Sequence, residues 1–269
     1  MQRPRRANEA ARVRAAFSGQ ARNWGANATT FLGADFTPWI LARIPLATNC
    51  EALDVAAGTG ELTLPLSRRV ARITALDATE AMLDHGRRAA QDGGITNAVF
   101  RQGNAYELPF AADSFDLVIC RLAIHHFERL QVAISEMARV ARPGGQVIVV
   151  DMVSPDEPAV ANTYNHLERL RDPSHALCLT GRELACALEQ ADLCVLSSDE
   201  RWLENLAEDW LAFAGAEAAT ANTIRRQLAD DVDGGQPTGM FPELRAGRLY
   251  IHRRITLLAA HKAPDTKQR

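Results

Sequence analysis

The chain has 269 residues, with 30 basic side chains against 33 acidic ones, a formal net charge of −3, 47 % hydrophobic residues and 23 % charged residues. That length buries one substantial core, no apolar run approaches the roughly 18 residues that cross a bilayer, and the balanced charge gives no clustered basic face for nucleic acid. Five cysteines without a C-x-x-C pair (Cys50, Cys120, Cys178, Cys186 and Cys194) suggest free thiols in a reducing compartment and no zinc site, so the expectation is a soluble, cytoplasmic, metal-free protein, monomer or homodimer.

In chain order, the first segment is basic: Arg3, Arg5, Arg6, Arg12 and Arg14 face the single acid Glu9, which reads as a solvated tail. AAFSGQARNWGANATTF follows, where Phe17, Trp24 and Phe31 suit either an aromatic lid over a site or an amphipathic helix packed on a core. From Glu51 to Val150 short apolar runs alternate with helical stretches: EALDVA, RITALDA, AVFRQG, FDLVIC and QVIVVDM. Strands alternating with helices predict an α/β fold with a doubly wound, mostly parallel sheet. Pro143, Gly144 and Gly145 read as a turn between the helix SEMARVA and the strand QVIVV.

Beyond Asp151 the pattern loosens. Thr180 with Glu183 three residues later has the form of a capping box opening a helix. A strand around CVLSS, a helical stretch from about Trp202 to Leu228, a loop over DVDGGQPTGMFPE and a last strand LYIHRRITLLAAHK complete the reading. Trp202, Trp210 and Phe213 are expected in the core or lid of that helical insertion.

Chemistry concentrates in LDVAAGTGELT, residues 53 to 63, where a buried strand runs into Gly58-Thr59-Gly60 before a helical start. Glycines there let the backbone approach a ligand closely, and the first strand-turn-helix unit of an open α/β sheet is where such ligands bind. The next strand ends in Asp77, 17 residues after Gly60, placed either to accept both hydroxyls of a ribose or to cap the following helix. A nicotinamide-dinucleotide fingerprint would need glycine where Thr63 stands, which disfavours that cofactor. His125 and His126 follow Arg121 at the edge where the site should lie. One of them suits a general base near neutral pH, and packing beneath the next helix is the alternative. Arg121 suits either an acidic or carbonyl-bearing substrate or a surface ion pair.

Together LDVAAGTGELT, LDATEAML, GNAYELPFAADSFDLVIC, the H-H-F after RLAI and EMARVARPGGQVIVVDM resemble the class I S-adenosylmethionine (SAM)-dependent methyltransferases, in particular the ubiquinone/menaquinone-biosynthesis-like small-molecule branch. The resemblance covers residues 50 to 152 and implies a seven-stranded Rossmann-like sheet. It further implies one domain over 1–269: an N-terminal helical lid segment over 1–48, a SAM-binding core over 50–152, and an acceptor-side insertion with the last strands over 153–269. It implies that Asp54, Ala56, Gly58 and Gly60 surround the amino-acid portion of SAM, that Asp77 with Ala78 holds the ribose, and that Met82 packs near the adenine. Gly103, Asn104 and Ala105 stand where such enzymes often have G-D-A, so the amide oxygen of Asn104 replaces a carboxylate toward the adenine amino group. Cys120 and Arg121 fall between cofactor and substrate, and Phe17 and Trp24 with Arg121 would contact the acceptor. Later, RDPSH at 171 to 175 is shared with some members, with no role assigned. The expected activity is methyl transfer from SAM to a small acceptor, aromatic or quinone-like, with S-adenosylhomocysteine as product. The alternative is a SAM-binding protein that promotes cyclisation or rearrangement without methylating.

Overall fold

The computed structural model describes residues 32–47 and 49–264. A short helix α1 (Phe36–Leu41) precedes β1 (Glu51–Val55), α2 (Thr63–Ser67), β2 (Arg72–Asp77), α3 (Glu80–Asp92), β3 (Ala98–Gln102) and β4 (Phe115–Arg121). A 3₁₀ turn (Ile124–His126) leads into α4 (Leu130–Val140), β5 (Ala141–Val153), α5 (Pro158–Arg171) and α6 (Gly181–Glu189). The chain closes with β6 (Leu193–Leu206), α7 (Ala207–Phe213), α8 (Ala218–Val232), β7 (Glu243–Arg245) and β8 (Arg248–Lys262).

The strands form one sheet in the order β3-β2-β1-β4-β5-β8-β6, with β7 also paired to β8. The first five are parallel and β8 runs antiparallel to β5, β6 and β7. Parallel strands covered on both faces need apolar side chains at every position rather than every second one, and the sequence supplies them. In β4, Leu117 and Ile119 enter the core on one face while Val118 and Cys120 enter the core on the other; in β5, Ile148 and Val150 oppose Val147 and Val149 in the same way. Helices α2, α5, α7 and α8 cover the first face, and α4 and α6 the second.

Several details differ from the sequence reading. Among the described residues the sheet has eight strands rather than seven, because the short β7 adds to β8 beyond the end of β5. The Pro143–Gly145 stretch is a bulge inside β5: Phe115 pairs with Ala141 and Leu117 with Gln146, so the residues between loop out, with Gly144 at φ +76°. Trp202 lies on a strand, not on a helix. The run RWLENL alternates exposed Trp202 and Glu204 with buried Leu203 and Asn205, a period of two that extends β6 to Leu206. The expected loop over 231 to 243 is a loop only over 233 to 242, between α8 and β7, and it is anchored: Asp231 accepts from both the amide and the hydroxyl of Thr238, and Met240 is fully buried. Thr180 and Glu183 form the expected reciprocal capping box of α6. No helix among the described residues is long and apolar enough to cross a membrane.

Candidate functional site

A cleft of about 670 Å³ opens at the C-terminal ends of β1, β2 and β4. In an open parallel sheet this is where neighbouring connections leave in opposite directions, between β1 and β4, and where ligands are held. Three backbone positions shape its floor: Ala56 at φ +57°, Gly58 at φ +58° and Gly60 at φ +80°. Gly60 closes the turn by donating to the Ala57 carbonyl at 3.0 Å. A Cβ on Gly58 would meet no protein atom within 4 Å and would project into open space. Ala56, a non-glycine residue in the left-handed region, carries local strain of the kind that concentrates at ligand sites.

Asp77 is fixed from two sides. Its Oδ2 accepts from the Gly58 amide at 2.9 Å and its Oδ1 from the Thr79 amide at 2.8 Å, so one carboxylate ties the glycine turn to the start of α3. Burial pushes its pKa above the ordinary carboxylate value, against the pull of those amides. Thr79 itself is the N-cap residue of α3. Deeper in, Asp54 accepts from the Thr63 hydroxyl at 2.6 Å, and burial raises it to about 6, opposed by that hydrogen bond and by the charge of Arg121. Arg121 pairs with Glu61 at 3.6 Å; it is largely buried, and its NH1 nitrogen has no hydrogen-bond partner among the described residues. A buried guanidinium with an unanswered donor faces the cleft.

Along the opposite wall, Gly103 lies so close to Leu76 that a Cβ there would come within 2.6 Å of its Cδ1. Asn104 folds back, its Oδ1 accepting from the Tyr106 amide at 2.9 Å, and Met82 lines the floor. Tyr106, Phe127 and Arg129 form a lip: the two rings meet edge to face at 5.7 Å and the guanidinium lies 4.0 Å over the tyrosine.

Beyond Arg121 the chain turns through Leu122 at φ +52° into the 3₁₀ turn that carries both histidines. His125 Nδ1 lies 2.6 Å from Asp151 Oδ1, at the end of β5. Burial pulls its pKa down, but the charge and hydrogen bond of Asp151, with Glu168 and Asp172 farther off, outweigh burial and raise it. His126 packs its ring 4.1 Å from that of His125 and is depressed by burial and then by the charge of His125. The RDPSH stretch stands behind the pair. His126 Nδ1 lies 3.1 Å from both the carbonyl oxygen and the hydroxyl of Ser174, and the amides of Ala176 and Leu177 donate to the His125 carbonyl. Farther in, Glu168 is held between Arg171 and Arg253, and His175 Nε2 meets Asn165 Oδ1 at 2.9 Å.

Of the residues singled out from the sequence, Asp54, Ala56, Gly58, Asp77, Ala78 and Met82 line the cleft, as do Gly103, Asn104, Ala105, Arg121 and His126. Gly60 shapes the turn without lining the cleft. Cys120 does not line it either: its side chain is fully buried in the sheet, and burial pushes the thiol well above its ordinary pKa. His125 also stands behind the wall, its ring nitrogen committed to Asp151. Phe17 and Trp24 lie outside the described residues. Sequence reasoning missed Thr59, Tyr106, Glu107, Phe127 and Arg129 on the lining and Asp151 behind it. Thr59, Tyr106, Glu107 and Phe127 stand inside the motifs quoted above without being singled out, and Asp151 is an acid ending an apolar strand; Arg129 left no signal.

Comparisons with known proteins fit this geometry. The family profile described as a methyltransferase domain matches residues 53–149. An uncharacterized methyltransferase, YcgJ of Bacillus subtilis, is 43% identical over 189 residues, which are 70% of this chain and 74% of that protein. The crystal structure of YcgJ superposes with a TM-score of 0.78 and 28% identity, covering 84% of this chain and 97% of the other. The ubiquinone/menaquinone biosynthesis C-methyltransferase UbiE of Sinorhizobium fredii is 34% identical over 143 residues, 52% of this chain and 55% of its own.

Proposed function

The chain belongs to the class I SAM-dependent methyltransferases, and on that premise we propose that it methylates a small organic acceptor with an acidic, phenol-like or quinol-like site. The observation that carries the reading is the two-ended cleft, with Asp77 pinned over the glycine turn at one end and His126 beside an aromatic lip at the other.

The residues fit SAM as a bound group. Asp77 still has lone pairs for ribose hydroxyls after its two amide bonds, and Gly58 leaves space where a side chain would intrude. Met82 and Ala78 supply apolar contact, and Asn104, though already accepting from Tyr106, retains acceptor capacity for an adenine amino group. Bound there, SAM would supply a methyl group activated by its cationic sulfur, leaving S-adenosylhomocysteine as product and one acceptor proton to be removed.

The chain's own residues do the rest. Positioning supplies most of the acceleration in such a displacement, and a base matters where the acceptor is a poor nucleophile. His126 takes the acceptor's proton and passes it to water. Because burial and His125 both depress it, it is neutral at physiological pH and is a weak base. A weak base matches an acceptor that is itself acidic: a phenolic hydroxyl, near 10, fits far better than an aliphatic alcohol. Tyr106 and Phe127 offer rings for an aromatic acceptor to pack on, and the unanswered donor of Arg121 suits a carbonyl or acidic substituent.

The test pairs calorimetry with turnover. SAM and S-adenosylhomocysteine should bind at micromolar level while NAD gives no heat, and radiolabelled methyl should appear on phenols or quinols in a small-molecule panel. Transfer confined to protein or RNA, or none to any phenolic acceptor, would overturn the acceptor class.

A further inference from the structure

We propose that Asp172 and Ser174, in the loop between α5 and α6, fix His126 in the tautomer that carries its proton on Nδ1 and leaves Nε2 as the basic nitrogen. The proposal rests on the reading of His126 as the acceptor-side base, and it gives the RDPSH stretch a positioning role.

The argument is one of counting hydrogens. The hydroxyl of Ser174 has a single hydrogen and two neighbours: Asp172 Oδ1 at 2.6 Å and His126 Nδ1 at 3.1 Å. Asp172 Oδ1 is not a donor: it also accepts from the Ser174 amide at 2.9 Å, and against burial Arg171 and the Ser174 hydrogen bonds hold the carboxyl below the usual value and therefore ionised. The Ser174 hydrogen accordingly points at Asp172, and its oxygen is left to accept from the ring. The carbonyl oxygen of Ser174, also 3.1 Å from Nδ1, can only accept. Two acceptors converge on Nδ1, so that nitrogen holds the proton and Nε2 is the unprotonated one. His126 lines the cleft and Ser174 does not, so the proton-bearing side of the ring faces the loop.

The loop is well placed to impose this. The Ser174 amide also donates to Asp172 Oδ1 at 2.9 Å, and the amides of Ala176 and Leu177 hold the His125 carbonyl, so the 172–177 segment is clamped onto the 3₁₀ turn by main-chain bonds. Among the described residues, the other charged groups nearby are engaged elsewhere. Asp151 is engaged with His125 at 2.6 Å, Glu168 with Arg171 and Arg253, and His175 with Asn165. Burial, and then the charge of His125 against its ring, depresses His126 and keeps it neutral, and tautomerism is a property of the neutral ring.

Long-range ¹⁵N–¹H spectra of the full chain, with His126 assigned by its loss in His126→Gln, read the tautomer without any turnover. The wild-type protein should show Nδ1 protonated and Nε2 bare at neutral pH. Asp172→Ala frees the Ser174 hydrogen to donate to Nδ1, so the spectrum should move to a mixture and turnover should fall about tenfold or more, with SAM affinity unchanged. Ser174→Ala, which leaves the carbonyl acceptor and the loop's main-chain bonds, should lose a few-fold, and Ser174→Thr should restore it. A wild-type His126 protonated on Nε2 would overturn the proposal, as would tautomer and turnover untouched in both Asp172→Ala and Ser174→Ala. Spectra that behave as expected while His126→Gln keeps full turnover would leave the tautomer assignment standing and remove the base reading instead.

Discussion

The two ends of the cleft are built by different means. The end over the glycine turn is made almost entirely by main chain from one strand-turn-helix unit and the tip of the next strand: amides of Gly58 and Thr79 on Asp77, and left-handed conformations at Ala56 and Gly58. The end at the histidines is a side-chain network gathered from three separated segments, with Asp151 26 positions beyond His125 and Ser174 48 positions beyond His126. The first arrangement is local and tolerates change elsewhere in the chain. The second exists only when distant elements dock, and on the function proposed above it is where an acceptor preference would be retuned without disturbing cofactor binding.

If that division holds, substitutions at the two ends should have separable effects. The largest is expected at the histidine end, where His126→Gln should lower kcat by about a hundredfold or more and leave the dissociation constant for SAM within twofold. Because His126 is depressed, the wild-type rate should stay flat down to pH values below the ordinary 6.5 of imidazole and fall only when the ring protonates. Loss of SAM binding in this variant would break the separation.

Next is Asp151→Asn, which removes the partner of a buried, proton-bearing His125 and should cost about 3 kcal/mol in urea unfolding at pH 6. The sign with pH follows from the shift: His125 is raised in the folded chain, so the stabilisation is complete below its unfolded value and is lost as pH rises through the folded value. The wild-type midpoint should therefore decline across that window, and the variant should lack the slope. At the other end, Asp77→Ala should weaken SAM binding more than tenfold by calorimetry, since ribose hydroxyls and two amides lose their acceptor. Near-wild-type affinity would remove Asp77 from the site, and reduced turnover at saturating SAM would blur the comparison.

The same division decides what the sequence discloses. The five parallel strands, the glycine turn, Asp77 and the Thr180–Glu183 cap are all legible, because each depends on residues close along the chain: an apolar run, a turn with no side chain, an acid at a strand end. The histidines are visible as candidates, but nothing in their neighbourhood discloses that His125 belongs to Asp151 and His126 to Ser174, because pairing across a fold has no local signature. Cys120 misleads for a related reason. It stands at a strand end, where every second side chain points into the sheet's core, and the alternation that puts Arg121 in the cleft puts its neighbour beneath it. The path of β6 past Trp202 was hidden by composition: a strand exposed on one side carries as many charged residues as a surface helix does.

The placement of β8 bears on how the chain acquires its shape. This strand, the last element of the described chain, sits in the interior of the sheet, flanked by β5 and β6. During synthesis those two strands emerge first and wait with unpaired hydrogen-bonding edges until residues 248–262 clear the ribosome. The sheet is therefore completed by insertion rather than by growth at a margin, a route of high contact order in which the final step is slow and irregular pairing competes with the correct one. A chain interrupted before Arg248 would leave both edges without that partner and open to irregular pairing, and would also lack Arg253, the β8 side chain that holds Glu168 behind the histidines.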